Sequence, residues 1–385
     1  MEQKKTTTVT LKSATDLALK HLKAGEYQLS KNIFLDILKA YPDNAHANHY
    51  IGVCYFNLNE TELALEHLKK AIELLPDNSN FNHNLGSVYN QLEQLDKALP
   101  YLQKAAAIEP DNAIFVANLA VVTAKRGDLE QAKQIGLQAL HLKDKNAVEN
   151  FKEYQDKYIL KEKQIAKDYQ PNDVNIIAFC LFGDNPLYTK GAVMNAMLVP
   201  YIYPEWRARF FIDKTVPAEI VEQLKKFGAE IAFFENPKKG FHRLLWRFLI
   251  SDDPNVTRFI CRDCDSRLNV QEKIAVDEWV QSGKYFHIMR NSYHHCELIL
   301  AGMWGGVAGI LPPMEPLINE FECKVHEKWH DQAFAGAMLW PLVKQNVLTH
   351  DSFYHYHHAR DFSKFGRRPL GFDIGTIESW DLDRL

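Results

Sequence analysis

The strongest constraint on this chain is an internal period. Pro-Asp-Asn recurs at Pro42–Asn44, Pro76–Asn78 and Pro110–Asn112, a step of 34 residues each time. Ala64, Ala98 and Ala132 keep that step, as do Tyr55 and Tyr89, and Gly52, Gly86 and the small Ala120. A chain that repeats at this interval builds one supersecondary unit several times over, and three or more stacked units bury the apolar face that one alone cannot. Small residues at 52, 86 and 120 let paired helices approach closely, and proline after each second helix cannot continue it. Asp-Asn is suited to cap the helix that follows. One period earlier, Ala18 stands opposite Gly52 and Lys23-Ala24-Gly25 falls at a helix turn. The expectation is four helix pairs, at about 8–41, 42–75, 76–109 and 110–143.

This pattern resembles the tetratricopeptide repeat, a helix–turn–helix unit that stacks into a solenoid. The resemblance implies a binding scaffold over 8–143, with a protein partner and no chemistry of its own. The charged, amphipathic stretch from Asn146 to Asp168 reads as a capping helix, and Gln170-Pro171-Asn172-Asp173 as a boundary. The expected division is therefore repeats at 8–143, capping helix and linker at 144–173, and a second domain at 174–385.

Composition sets outer bounds. A chain of 385 residues has room for two or three cores at roughly 150 residues each. Its formal net charge of −4 gives no global positive field, so nucleic acid is not the expected partner. Met1 to Thr10 is polar, unlike a signal peptide, and no apolar run reaches the ~20 residues of a membrane span. Six cysteines in a chain this long do not form a disulfide framework. The expected location is the cytoplasm, with peripheral contact at the inner face of a membrane left open.

From Val174 the pattern changes to strands alternating with helices. Val174–Phe182, Arg209–Ile212, Glu230–Phe234 and Thr257–Cys261 read as strands. Tyr188–Tyr201, Pro217–Phe227 and Phe241–Ile250 read as the helices between them. Such alternation predicts a mostly parallel sheet in an α/β domain, with ligands at the carboxyl ends of the strands. The segments after Phe182 and Cys261 are the places to look.

After Cys261 the chain reads Arg262-Asp263-Cys264-Asp265-Ser266-Arg267. The period of two sends both carboxylates to one side, where hard oxygen ligands can hold Mg²⁺ or Mn²⁺. The bland alternative is a strand-end turn with solvated acids. A second Asp-x-Asp, Asp381–Asp383, has no strand before it and reads as a solvated tail. Cys261-x-x-Cys264 has zinc-like spacing, but no second cysteine pair supports it, so both read as packing residues.

A strand entering Asp-x-Asp, after a first strand with an acidic turn, is similar to nucleotide-diphospho-sugar transferases of the GT-A fold. Arg243–Arg247, Phe286–Arg290, Gly302–Gly305 and Asp331-Gln332 also look similar to bacterial members of that class. The resemblance covers about 174–370 and implies a metal-dependent glycosyltransferase, in the setting of cell-surface polysaccharide synthesis. It implies that the turn Phe182-Gly183-Asp184 contacts the nucleoside, that Asp265 ligates metal and that Asp263 contacts metal or ribose. It also implies a third ligand from a C-terminal histidine. His355-Tyr356-His357-His358 offers one, with His357 as the choice, and Lys364, Arg367 and Arg368 follow as diphosphate contacts. An aromatic–histidine surface cluster is the alternative there.

Sugar transfer with inversion needs a base for the acceptor hydroxyl. Asp331, opening an apolar helix over 332–343, is the candidate, with Glu327 in reserve and a plain helix cap as the alternative. Arg243, Arg247, Arg262 and Arg267 could meet donor phosphate. Met303-Trp304-Gly305 could form an acceptor loop in which Trp304 stacks on a sugar, or could be a buried turn. The expected acceptor is a saccharide, a lipid-linked sugar or a protein. Two competing functions remain: a repeat scaffold carrying an inactive transferase-like domain, and a different metal enzyme acting on diphosphates. No Gly-rich phosphate loop favours the latter.

Overall fold

The structure, a computed structural model, describes residues 10–234, 243–322, 330–361 and 374–375. It divides into two compact units, 1–139 and 140–385.

The first unit is helical. Helices α1 (Leu11–Lys23), α2 (Tyr27–Ala40), α3 (Ala45–Asn57), α4 (Thr61–Leu74), α5 (Ser79–Gln91), α6 (Leu95–Ile108) and α7 (Ala113–Lys125) precede α8 (Leu129–Phe151). The period is legible in the chemistry of each junction. Asn44, Asn78 and Asn112 are the caps of α3, α5 and α7, their side chains accepting from the backbone N–H groups of Ala47, Phe81 and Phe115. Thr10, one period before Asn44, caps α1 through Ser13. The turn inside each pair is closed by a residue in the left-handed region: Gly25, Asn59, Glu93 and Gly127, again 34 apart. Gly52 and Gly86 are required by close approach. A Cβ on either would lie 2.6 and 2.7 Å from Leu68 and Leu102 of the partner helix. Leu68, Leu85, Val88, Leu102 and Val122 make the buried seam between successive pairs.

The second unit is built on a seven-stranded sheet among the described residues. Its strands are β1 (Asn175–Leu181), β2 (Trp206–Ile212), β3 (Glu230–Phe233), β4 (Arg258–Cys261), β5 (Phe286–Arg290), β6 (Trp304–Val307) and β7 (Val347–Asp351). Their order is β3-β2-β1-β4-β6-β5-β7, and β6 alone runs antiparallel to its neighbours. All seven residues of β1 are buried, as a strand covered on both faces requires. Helices α9 (Pro186–Ile202), α10 (Ala218–Lys226), α11 (Val270–Ser282), α12 (Met314–Glu322) and α13 (His330–Phe334) complete the unit with shorter turns.

Three expectations change. The stretch expected to be helical to Asp168 is α-helical only to Phe151, and 155–174 has no regular secondary structure. That segment finds its partners on the sheet domain: Arg258 donates to Ala166 O and Asp173, and Tyr169 donates to Asp277 at 2.7 Å. The expected helix before β4 is a 3₁₀ helix, Arg243–Asp252, and Phe241 lies outside the described residues. The helix expected after Asp331 opens as α13 and then widens into a π turn at Ala335–Leu339. No helix of the described residues is long and apolar enough to cross a membrane.

Candidate functional site

The carboxyl ends of β1, β4 and β5 lie at one end of the sheet: Ala178 of β1 is the register partner of Cys261, Cys261 that of Trp304, and Trp304 that of Ile288. A cleft of about 420 Å³ opens at that end. Phe182 follows β1 into it, Asp263 and Asp265 follow β4, and Asp331 reaches it from α13. Mostly apolar walls with a few convergent polar groups are the usual make-up of a small-molecule site.

Arg247 organises the polar end. Its guanidinium is buried, and Nη1 donates to Asp263 Oδ1 at 2.5 Å and to Arg262 O at 2.9 Å. Nη2 donates to Asp331 Oδ2 at 2.7 Å. Burial works against the charge, yet Asp263 and Asp331 more than offset it and hold the guanidinium firmly protonated. Arg247 and Asp331 are buried while Asp263 is partly exposed, so the Arg247–Asp331 pair is the costly one to desolvate, and removing either member leaves the other uncompensated. Arg247 therefore spends its hydrogen bonds inside the protein, which makes it a support for the two carboxylates and removes it from the expected donor-phosphate contacts.

Asp265 is different. The residue is 9% exposed, and burial, helped by the charge of Asp263, raises its carboxyl to about 6. A Cβ at Gly302 would lie 1.9 Å from Asp263 Oδ2, and one at Gly191 would lie 2.0 Å from Cys264 O. Those two glycines exist to let the Asp-Cys-Asp turn pack this tightly. Cys261 and Cys264 are buried packing residues, as expected, and burial pushes both thiols up.

Several expected site residues lie elsewhere. Trp304 is fully buried in β6, edge-on to Phe248 and Phe259, so it is core and has no face for a sugar. Gly305 is also in β6, hard against Phe259 O; of that trio only Met303 lines the cleft. Arg262 is buried and pairs with Glu272 on α11, and Arg267 donates to Cys264 O and Ser266 O. His357 packs on Trp340 and bonds to the Lys344 carbonyl, so it does not join Asp263 and Asp265. Its turn is held by Asp351, which accepts from the N–H groups of Phe353, Tyr354 and Tyr356 and pairs with buried Arg290. That network sustains left-handed backbone at His355, His357 and His358. Among the described residues no group of three or more His, Cys, Asp or Glu is arranged to hold a metal ion. Glu327, Lys364, Arg367, Arg368, Asp381 and Asp383 lie outside the described residues.

On the β1 side, Arg243 pairs with Asp213 at 2.9 Å, and its guanidinium lies 5.4 Å from the centre of the Phe182 ring. Gly183, in the left-handed region, donates its N–H to Thr215 at 2.7 Å, and Asp184 is exposed beside it. The structure adds Tyr188, Leu244, His295 and Leu300 to the lining. Tyr188 sits on the first turn of α9 and His295 in the segment after β5, so the rule that ligands bind at strand carboxyl ends was the available signal for them.

The tetratricopeptide-repeat family matches residues 47–78, 67–99 and 89–152, and the N-terminal helix pairs are tetratricopeptide repeats. No curated protein matches the chain. Among solved structures, the chain is similar to the Thermobaculum terrenum O-GlcNAc transferase, at 18% identity and a TM-score of 0.39. That likeness covers 58% of this chain and only 41% of the transferase's length. It is also similar to MamA from Desulfovibrio magneticus RS-1, at 21% identity over 35% of this chain and 76% of that one, with a TM-score of 0.33. YrrB, described as a tetratricopeptide-repeat protein with an unusual peptide-binding site, is 20% identical over 38% of this chain and 75% of its own, with a TM-score of 0.33.

Proposed function

We propose that the α/β unit is a metal-dependent glycosyltransferase that moves a sugar from a nucleotide-sugar, and that the repeats bind the acceptor or a protein presenting it. The carrying observation is the meeting of Asp263, Asp265 and Asp331 in one cleft at the carboxyl ends of β1 and β4, with Asp263 and Asp331 on one buried arginine. The carboxylate pair suits Mg²⁺ or Mn²⁺. Its donors are hard oxygens, and the raised Asp265 carboxyl marks a negative charge that a cation would compensate. Mg²⁺ is commonly held by one or two carboxylates and takes its other ligands from water and substrate phosphate. When bound, such an ion supplies Lewis-acid stabilisation of a leaving diphosphate.

The chain's own residues supply the rest. The Phe182 ring and the Arg243 guanidinium form a shelf at the end of β1 for a nucleoside. Arg247 holds Asp263 and Asp331 in fixed geometry. In an inverting reaction Asp331 accepts the proton of the acceptor hydroxyl.

One observation favours a second reading, an inactive transferase-like domain on a repeat scaffold: Arg247 already engages both Asp263 and Asp331. A single experiment separates the two. Thermal protection and sugar release are measured with uridine- and guanosine-diphosphate hexoses, in Mn²⁺ and in EDTA. The enzyme reading expects Mn²⁺-dependent protection and turnover, both lost in Asp265→Ala. Full activity in EDTA, or no nucleotide-sugar bound at all, rejects it.

A further inference from the structure

The segment 291–303 joins β5 to β6 at the cleft end of the sheet, and His295 on it lines the cleft. The Asn291 N–H donates to His295 Nδ1 at 3.2 Å. With Nδ1 accepting, the ring proton of the neutral imidazole is on Nε2. Burial, with the neighbouring His294 and Arg290 acting in the same direction, pushes the imidazole down to about 3, so the ring stays neutral at any ordinary pH. This tautomer is the wrong one for a metal ligand, which binds through a bare nitrogen while the other ring N–H donates outward. It is the right one for a fixed neutral donor.

The segment is held rigid around that ring. The His295 N–H donates to Ser292 O at 3.0 Å. Arg290 Nη1 holds Glu297 O at 2.7 Å and Leu298 O at 3.1 Å, and Lys143 Nζ holds Cys296 O at 2.7 Å. The polar side chains around the cleft are mostly committed. Gln332 accepts from the Ala301 N–H and donates to Ile299 O. Asp331 accepts from Arg247 and from the Gln332 N–H. Among the described residues, His295 Nε2 has no such partner, and Leu300, Ala301 and Met303 beside it on the wall are apolar. A neutral donor in a cleft that is also lined by Asp263, Asp265 and Asp331 fits an uncharged hydroxyl; a phosphate would call for a cation.

We propose that His295 is a specificity-determining residue whose Nε2–H donates to a hydroxyl of the saccharide bound in this cleft. The inference rests on the glycosyltransferase reading, and it predicts that the sugar, as distinct from the diphosphate, is what the residue senses. The hydroxyl belongs either to the donor sugar or to the acceptor, and the test has an arm for each.

The full chain is compared with His295→Leu, which keeps bulk without the donor, and His295→Gln, whose amide N–H can take the place of Nε2–H. Dissociation constants are measured in Mn²⁺ for uridine and guanosine diphosphate and for their hexose conjugates, together with KM for a saccharide acceptor. His295→Leu should leave the bare diphosphate within about twofold and weaken either the conjugate or the acceptor about 10-fold, the usual worth of one such bond. His295→Gln should restore most of that loss, and the arm that moves identifies the sugar concerned. If both sugar arms are unchanged in a folded His295→Leu protein, the proposal is overturned. An equal loss on the bare diphosphate overturns it too. A wild-type protein that binds none of these nucleotides removes the glycosyltransferase reading and this proposal with it.

Discussion

The repeats and the cleft use polar residues in opposite ways. In the repeats, Asn44, Asn78 and Asn112 satisfy backbone donors within three residues, and charged side chains such as Lys39 with Asp36 pair one turn away in solvent. Each local problem has a local answer, and the answers recur every 34 residues. In the cleft, Arg247 reaches Asp263 across 16 residues of sequence and Asp331 across 84. No local signal announces such partners, and Arg247 and Asp331 depend on one another because both are buried. The first arrangement tolerates the loss of one member; the second does not.

The comparison is tested hardest by Arg247→Met. It leaves Asp263 and Asp331 facing each other without a counter-charge, and should cost about 3–5 kcal/mol in chemical unfolding of the α/β unit. A loss under about 1 kcal/mol would mean that the triad is no more interdependent than the surface pairs of the repeats.

Asp331→Asn sharpens the other side of the contrast, since it keeps the shape and an acceptor for Arg247 while removing the carboxylate proposed as the base. Turnover should fall by ~10²-fold or more with nucleotide-sugar affinity near normal. Unchanged turnover would leave Asp331 as a helix-start and Arg247 partner alone, or point to a retaining reaction.

Asp265→Asn should act in the opposite direction on stability. The folded carboxyl is raised to about 6, above its unfolded value, so the group destabilises the metal-free protein once the pH exceeds the ordinary carboxylate range. At pH 7 and in EDTA the substitution should raise stability by about 1–3 kcal/mol, and the gain should shrink as the pH falls toward 4. A destabilised variant at pH 7 would show that Asp265 is held by the fold for structural reasons.

The smallest effect belongs to the repeats. Asn78→Ala removes one cap and should cost about 1 kcal/mol in thermal unfolding, with its neighbours unaffected. A cost as large as that of Arg247→Met would erase the distinction between the two units.

By itself the sequence determined the helix pairs, their caps and turns, four of the strands, and a carboxylate pair at the end of β4. These are legible because each is written within a few residues: a period, a cap three residues from its target, an apolar run of strand length. Strands β5, β6 and β7 are not legible in the sequence, since their short runs carry no periodicity that separates them from loops. Tertiary structure alone decided what each candidate side chain can touch. It buried Trp304 between Phe248 and Phe259, set His357 against Trp340, turned Arg247 inward to Asp331, and brought His295 to the cleft. A residue's type states what bonds it can make. Which partner it meets across 84 residues is settled only when the sheet brings its strand ends together, because burial then excludes the water that would otherwise satisfy it.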